Sequence, residues 1–139
     1  MRNRWGAVLA VCLVLTSPVL AAAQSCACPR FGSAAEQLSR SGAVFRARVL
    51  KVERQGDGRA VTTFAVAEAL KGKLPRQIRV VHPTLGSATC GISFRKGEIV
   101  SLTADREEDG SWSTGSCHLP QYHWDEFRRA ARARSAASW

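Results

Sequence analysis

Four cysteines constrain this chain more than any other feature. Cys26 and Cys28 stand one residue apart in Ser25-Cys26-Ala27-Cys28-Pro29, directly behind an apolar leader, while Cys90 and Cys117 lie far downstream. The fifth cysteine, Cys12, falls inside the leader. An even number of cysteines in a small exported chain points to disulfides. Cys26 and Cys28 are poor partners for each other, because a one-residue gap strains disulfide geometry. In an extended segment their side chains point the same way, so both can reach one neighbouring surface. Two arrangements remain: Cys26–Cys90 with Cys28–Cys117, or the crossed pairing. Either closes two long loops, each valued at about 4 kcal/mol by the chain-entropy account. The start of the mature chain is therefore expected to be pinned onto two distant parts of one small domain.

The leader has the parts of an export signal. Arg2 and Arg4 precede an apolar run from Ala7 to Leu15, and Ala21-Ala22-Ala23 supplies small residues for cleavage. The run is shorter than the roughly 18 apolar residues a membrane span needs. Two cleavage points compete within a signal peptide spanning residues 1–25. A cut after Ala23 fits best on side-chain size and leaves Gln24 first; a cut after Ser25 leaves Cys26 first. Ala23-Gln24-Ser25 is a poor lipid-attachment signal, because Gln24 is large and polar for its place. Residues 26–139 then form one domain, of a size that supports one core. Export to a periplasm or the medium is the expected location.

Periodicity gives a mainly β chain with a helix at each end. Ser33-Ala34-Ala35-Glu36 fits a capping box that opens a short helix to about Arg40, with Gly42 placed to stop it. Ala43 to Val52 alternates as a strand, with Ala43, Phe45, Ala47 and Val49 on one face. After Val49 the apolar phase moves to Leu50 and Val52, which predicts a bulge. Gln55-Gly56-Asp57-Gly58 is a turn, and Val61 to Leu70 a return strand with Phe64, Val66 and Leu70 sharing a face. Gln77 to His82, Glu98 to Ala104 and Ser111 to Cys117 follow as strands. Pro83 ends the third, and Glu107-Glu108-Asp109-Gly110 turns into the fifth. From about Tyr122 to Arg134, Trp124, Phe127 and Ala131 recur at helical spacing, with Arg128, Arg129, Arg132 and Arg134 on the opposite side. Five short strands between two helices suit a small Greek-key barrel.

The chain carries 20 Lys and Arg against 11 Asp and Glu, a formal charge of +9. Losing Arg2 and Arg4 with the leader lowers this to about +7. Outside the cytoplasm such a charge suits anionic polymers, headgroups or acidic proteins better than nucleic acid. Catalytic patterns are missing: no Gly-x-Ser-x-Gly elbow, no His-Glu-x-x-His helix, scattered His82, His118 and His123, and acidic residues gathered in an exposed turn. An enzyme is not expected, and no cofactor is implied. A zinc knuckle built from Cys26, Cys28, Cys90, Cys117 and His118 is disfavoured, because structural zinc sites space their cysteines by two to four residues and belong to reducing compartments.

Several segments, in order, resemble the N-terminal domain of the tissue inhibitors of metalloproteinases, a branch of the netrin-like OB-fold family. Cys26-Ala27-Cys28-Pro29 is similar to the family's opening Cys-x-Cys. Ala43-Val44-Phe45-Arg46-Ala47-Arg48-Val49 is similar to its first barrel strand, and Glu68-Ala69-Leu70-Lys71-Gly72 to the end of its second. Thr89-Cys90-Gly91-Ile92, the strand in Gly97 to Ala104, and Ser116-Cys117-His118 followed by Trp124-Asp125 complete the series. The likeness covers Cys26 to about Arg129. It implies an OB-fold-like Greek-key barrel and the pairing Cys26–Cys90 with Cys28–Cys117. It also implies an inhibitory ridge of Cys26, Ala27 and Cys28 beside Ser87, Ala88 and Thr89. By the same resemblance, the free α-amino group and carbonyl of Cys26 would chelate the zinc of a partner metalloprotease, provided Cys26 is the first residue. If Gln24 leads, that nitrogen is an amide, and a non-inhibitory module that holds an anionic surface or partner is the alternative.

Overall fold

The computed structural model describes residues 26–86 and 90–139. The leader and its cleavage points, and Ser87, Ala88 and Thr89 of the expected ridge, lie outside the described residues. The elements run α1 (Ala34–Arg40), β1 (Ala43–Arg54), β2 (Arg59–Lys71), β3 (Gln77–Pro83), β4 (Ile99–Arg106), β5 (Trp112–Ser113), a short 3₁₀ helix (Ser116–His118) and α2 (Trp124–Ala136). The strands close into a barrel in the order β1-β2-β3-β5-β4, with β4 returning to β1. Every pairing is antiparallel except β3 with β5. This is the five-stranded OB-fold-like Greek-key barrel with a short helix before it and a helix after it. Among the described residues no helix is long and apolar enough to cross a membrane.

α1 begins where the hydroxyl of Ser33 accepts from Glu36 N at 3.1 Å. The Glu36 carboxylate accepts from Gly32 N at 2.7 Å, one residue before the cap. The helix stops at Ser41 rather than at Gly42, with Ser41 Oγ donating to Gln37 O. β1 carries the expected bulge after Val49: Val49 pairs with Phe64 and Lys51 with Thr63, so Leu50 is the extra residue. A one-residue insertion turns every later side chain to the other face, which is why the apolar phase shifts there.

Barrel core and outer core share β1. Ala43, Phe45, Ala47 and Val49 point inward with Phe64, Ile78, Val80, Leu102 and Ala104, all essentially inaccessible. Phe45 and Phe64 meet edge to face at 6.1 Å, and Phe94 closes on Phe64 at 5.2 Å. Val44 points outward yet is fully buried, because Ala34 and Leu38 of α1 and Trp124 and Phe127 of α2 cover it. Full burial of an aromatic such as Phe127 contributes about 1.5–3 kcal/mol.

Three expectations need correction. Leu70 does not share the inward face of Phe64 and Val66. Arg46 pairs with Glu68 and Ala47 with Val66, so Ala67 is an extra residue that turns Glu68 outward, and Leu70 packs against the helices instead. The fifth strand is only Trp112–Ser113 rather than Ser111 to Cys117. The Thr114 hydroxyl donates to Thr103 O, and the chain then coils into the 3₁₀ helix bearing Cys117. α2 starts at Trp124 rather than about Tyr122, and Arg128, on the side away from the apolar residues by its spacing, is half-buried and tied to Glu68 of β2.

Candidate functional site

The structure brings Cys26 together with Cys90 and Cys28 with Cys117, with Cα separations of 5.3 and 5.0 Å. Both bridges arise from the one extended N-terminal segment. They fasten it to the loop after β3 and to the 3₁₀ helix after β5. The four sulfurs gather closely: Cys26 Sγ lies 3.2 Å from Cys117 Sγ and 3.6 Å from Cys28 Sγ.

The two receiving segments are themselves joined. Ser116 N donates to Cys90 O at 3.2 Å, and Ile92 N donates to Pro83 O at 2.9 Å. Cys90 has φ +42, in the left-handed region that a side chain enters at a cost of about 1 kcal/mol. The bend is possible because Gly91 follows. A Cβ at Gly91 would come within 2.1 Å of Thr84 O, so only glycine lets the loop fold back this closely onto the end of β3.

Beyond the sulfurs, a polar strap that the sequence reading missed holds the segment down. Gln121 uses both ends of its amide: Oε1 accepts from Phe31 N at 3.1 Å and Nε2 donates to Pro29 O at 2.7 Å. Tyr122 Oη donates to Phe31 O. Gln37, buried in α1, donates to Leu119 O and accepts from Gln121 N, each at 3.0 Å. The route from α1 through residues 119–122 to residues 29–31 is thus a continuous hydrogen-bonded chain. Glutamine in a helix or loop leaves no periodic signature; the one available signal was that Gln37 occupies an apolar phase of α1.

An open groove runs along this edge, lined by Cys26, Ala27, Cys28, Pro29, Arg30, Phe31, Gln121 and Tyr122. Cys26 and Ala27 are exposed, while Cys28, Cys90 and Cys117 are half-buried. A larger depression lies between the turns at Asp57 and at Glu107–Asp109. Three of its four carboxylates are committed: Asp57 to the Arg59 guanidinium, Asp109 to Ser111 and Glu107 to Ser113.

The histidines separate by role. His82 is almost fully buried, with Nε2 at 2.7 Å from Thr62 Oγ1 and Nδ1 at 3.2 Å from Pro83 O. Burial holds its pKa below the ordinary 6.5, so the ring is neutral and serves as a core hydrogen-bonding group. His118 Nε2 contacts Asp105 Oδ2 at 2.9 Å. Its Nδ1 is buried with no hydrogen-bond partner among the described residues. The chain matches no model of a known protein family, and no curated protein matches it.

Proposed function

We propose that this is an exported, non-enzymatic protein of the metalloendopeptidase-inhibitor type, related in kind to the netrin-like tissue inhibitors of metalloproteinases. Its N-terminal Cys26-Ala27-Cys28 edge docks into the cleft of a zinc endopeptidase. The observation that carries this reading is the double staple: one three-residue edge, exposed at Cys26 and Ala27, fixed by two bridges to two different parts of the barrel wall. A pre-fixed edge loses little conformational freedom on docking. With Cys26 first, its uncharged α-amine and its carbonyl form a chelating pair. An α-amine with pKa near 8 gives up its proton to a metal near neutrality. Ala27 then points at the partner's specificity pocket.

Intact mass and N-terminal sequencing of the exported protein provide the first test. Cys26 as the leading residue is required, and inhibition of at least one zinc endopeptidase must follow. A variant with one alanine ahead of Cys26 should lose that inhibition while keeping its thermal stability. Gln24 as the leading residue would sink the reading.

The second reading is an anionic-surface binding module, favoured by one observation on α2. Arg128 turns to Glu68, but Arg129, Arg132 and Arg134 make no ion pair among the described residues. Binding of this kind weakens steeply with salt, and binding indifferent to ionic strength would exclude it.

A further inference from the structure

The four sulfurs lie closer together than two structural bridges require. The Sγ atoms of Cys26, Cys90 and Cys117 all fall within 4.8 Å of one another. Cys28 Sγ lies 3.6 Å from Cys26 Sγ, and Cys26 Sγ lies 3.2 Å from Cys117 Sγ. All four sulfurs are bridged and carry no proton, so these are packing contacts between two stacked disulfides. A zinc ion bound to four thiolates at about 2.3 Å sets its sulfurs about 3.8 Å apart. Two contacts between the bridges, Cys26 to Cys117 and Cys26 to Cys28, already sit near that spacing. The two bonded pairs would have to open, and Cys28, which lies outside the close group of three, would have to draw in toward Cys90.

We propose that the same four cysteines, when reduced, form a tetrathiolate site for one zinc-class divalent ion, so that the N-terminal staple has a metal-held form as well as a disulfide form. The Cys26-x-Cys28 spacing does not make a zinc knuckle by itself. The fold supplies what the spacing lacks, by carrying the loop of Cys90 and the 3₁₀ helix of Cys117 to one place. The surroundings suit a site of net negative charge. The hydroxyl of Ser116 lies 3.7 Å from Cys26 Sγ and can donate to a thiolate, Arg30 borders the adjoining groove, and the whole chain is basic. Cys26 is exposed, which gives the ion a way in.

The chemistry balances with a dithiol as reductant. Each protein disulfide exchanges with one dithiol through a mixed disulfide. The dithiol leaves as its own disulfide, having given two electrons and two protons to the cysteine pair. Metal entry then releases up to four thiol protons as the S–H bonds give way to metal–sulfur bonds. Exchange with an external disulfide, which takes two electrons and two protons and leaves as its dithiol, restores each bridge and frees the ion. The device keeps the edge fixed where disulfides do not form and exchanges metal for bridges where they do.

Cobalt(II) is the probe. The purified protein is reduced anaerobically with a phosphine, which takes oxygen from water to become its oxide and competes poorly for metal, and is then titrated. We expect one equivalent of cobalt to develop the intense visible bands of a tetrahedral thiolate complex. Zinc should displace it, and the oxidised protein should give no bands. Cys90→Ser should weaken the bands sharply, and zinc should raise the thermal midpoint of the reduced protein, as ligands specific to a folded state do. Failure to develop the bands, a stoichiometry above one, or an unchanged spectrum in Cys90→Ser would overturn the proposal. Binding without a rise in the midpoint would overturn it too, since that marks thiolates of an unfolded chain.

Discussion

Arg128 grips the carboxylate of Glu68 at two points, Nε to Oε1 at 2.9 Å and Nη2 to Oε2 at 2.8 Å, and so ties α2 to the outer face of β2. Glu68 Oε2 also accepts from Trp124 Nε1 at 2.9 Å, and the guanidinium of Arg46 lies 5.1 Å from the centroid of that indole. The fork geometry satisfies carboxylate and guanidinium together, while the indole N–H is paired rather than buried bare.

This node predicts an acid transition with an assignable cause. The hydrogen bond from Arg128, then that from Trp124, holds the Glu68 pKa down from 4.5 to about 2. A carboxyl with a depressed folded-state pKa stabilises fully above its unfolded value and loses that contribution as pH falls through the folded one. The window therefore runs from 4.5 down to about 2. With the side chains of Arg128 and Glu68 at 39% and 33% exposure, solvent screening reduces the contribution to about 1 kcal/mol. Glu68→Gln should lower stability by about that much at neutral pH and flatten stability against pH in this window. Urea unfolding at several pH values checks both, and an unchanged slope would refute the assignment.

Much of the barrel was legible because β strands write their burial into alternation. Ala43, Phe45, Ala47 and Val49 declared one face of β1, and the jump to Leu50 and Val52 declared the bulge. The bulge at Ala67 left no such trace: Ala65, Ala67 and Ala69 fit either face, so Leu70 was placed inward when it packs outward. Arg128 was misread for a related reason. Helical periodicity says which residues share a face, but not that a strand presents an outward carboxylate to one of them. At the site, the spacing of the cysteines showed that the segment is bridged to two distant places, and the family resemblance supplied which cysteine meets which. Gln37 and Gln121, which strap the same segment, carry no pattern, because one side-chain amide can serve almost any backbone group.

The two bridges should prove unequal to the sum of their parts. Their sequence separations are 64 and 89 residues. Once either exists, the other closes only a ring of roughly thirty residues, from Cys26 to Cys28 and from Cys90 to Cys117. Chain entropy then assigns about 3.5 kcal/mol to the loss of either bridge alone and about 8 kcal/mol to the loss of both, as upper figures. Cys26→Ala with Cys90→Ala should therefore match Cys28→Ala with Cys117→Ala, and removing all four should cost more than twice as much. Denaturant unfolding of the three variants decides the matter. A clear difference between the two single-bridge forms would mean that native contacts, not loop closure, set the effect.

His82 should produce a second, milder acid response at higher pH. The buried ring resists protonation in the fold but titrates near 6.5 when unfolded. The unfolded chain then binds more protons, so stability falls as pH drops below about 6.5 until the depressed folded-state value is passed. His82→Gln should remove that slope while leaving the Glu68 window in place. It should also cost about 1–3 kcal/mol at neutral pH if Thr62, fully buried, loses its partner. Thermal midpoints between pH 7 and 5 separate the two effects. A slope that persists in His82→Gln would assign the proton to another group.

The last prediction concerns the edge itself. Ala27 is exposed between two bridged cysteines, so its side chain touches little of its own barrel and a larger residue there should leave folding alone. If this edge enters a protease pocket, a methyl group fills that pocket poorly, and each missing methylene of a fitting side chain costs about 1–3 kcal/mol of discrimination. Ala27→Leu should then tighten inhibition of a deep-pocketed zinc endopeptidase by about 10- to 200-fold at an unchanged thermal midpoint. Ala27→Asp, which would bring a charge into an apolar pocket, should abolish inhibition at the same midpoint. Inhibition constants for the three proteins provide the check. Equal constants would place Ala27 outside the contact and direct attention to the arginines of α2.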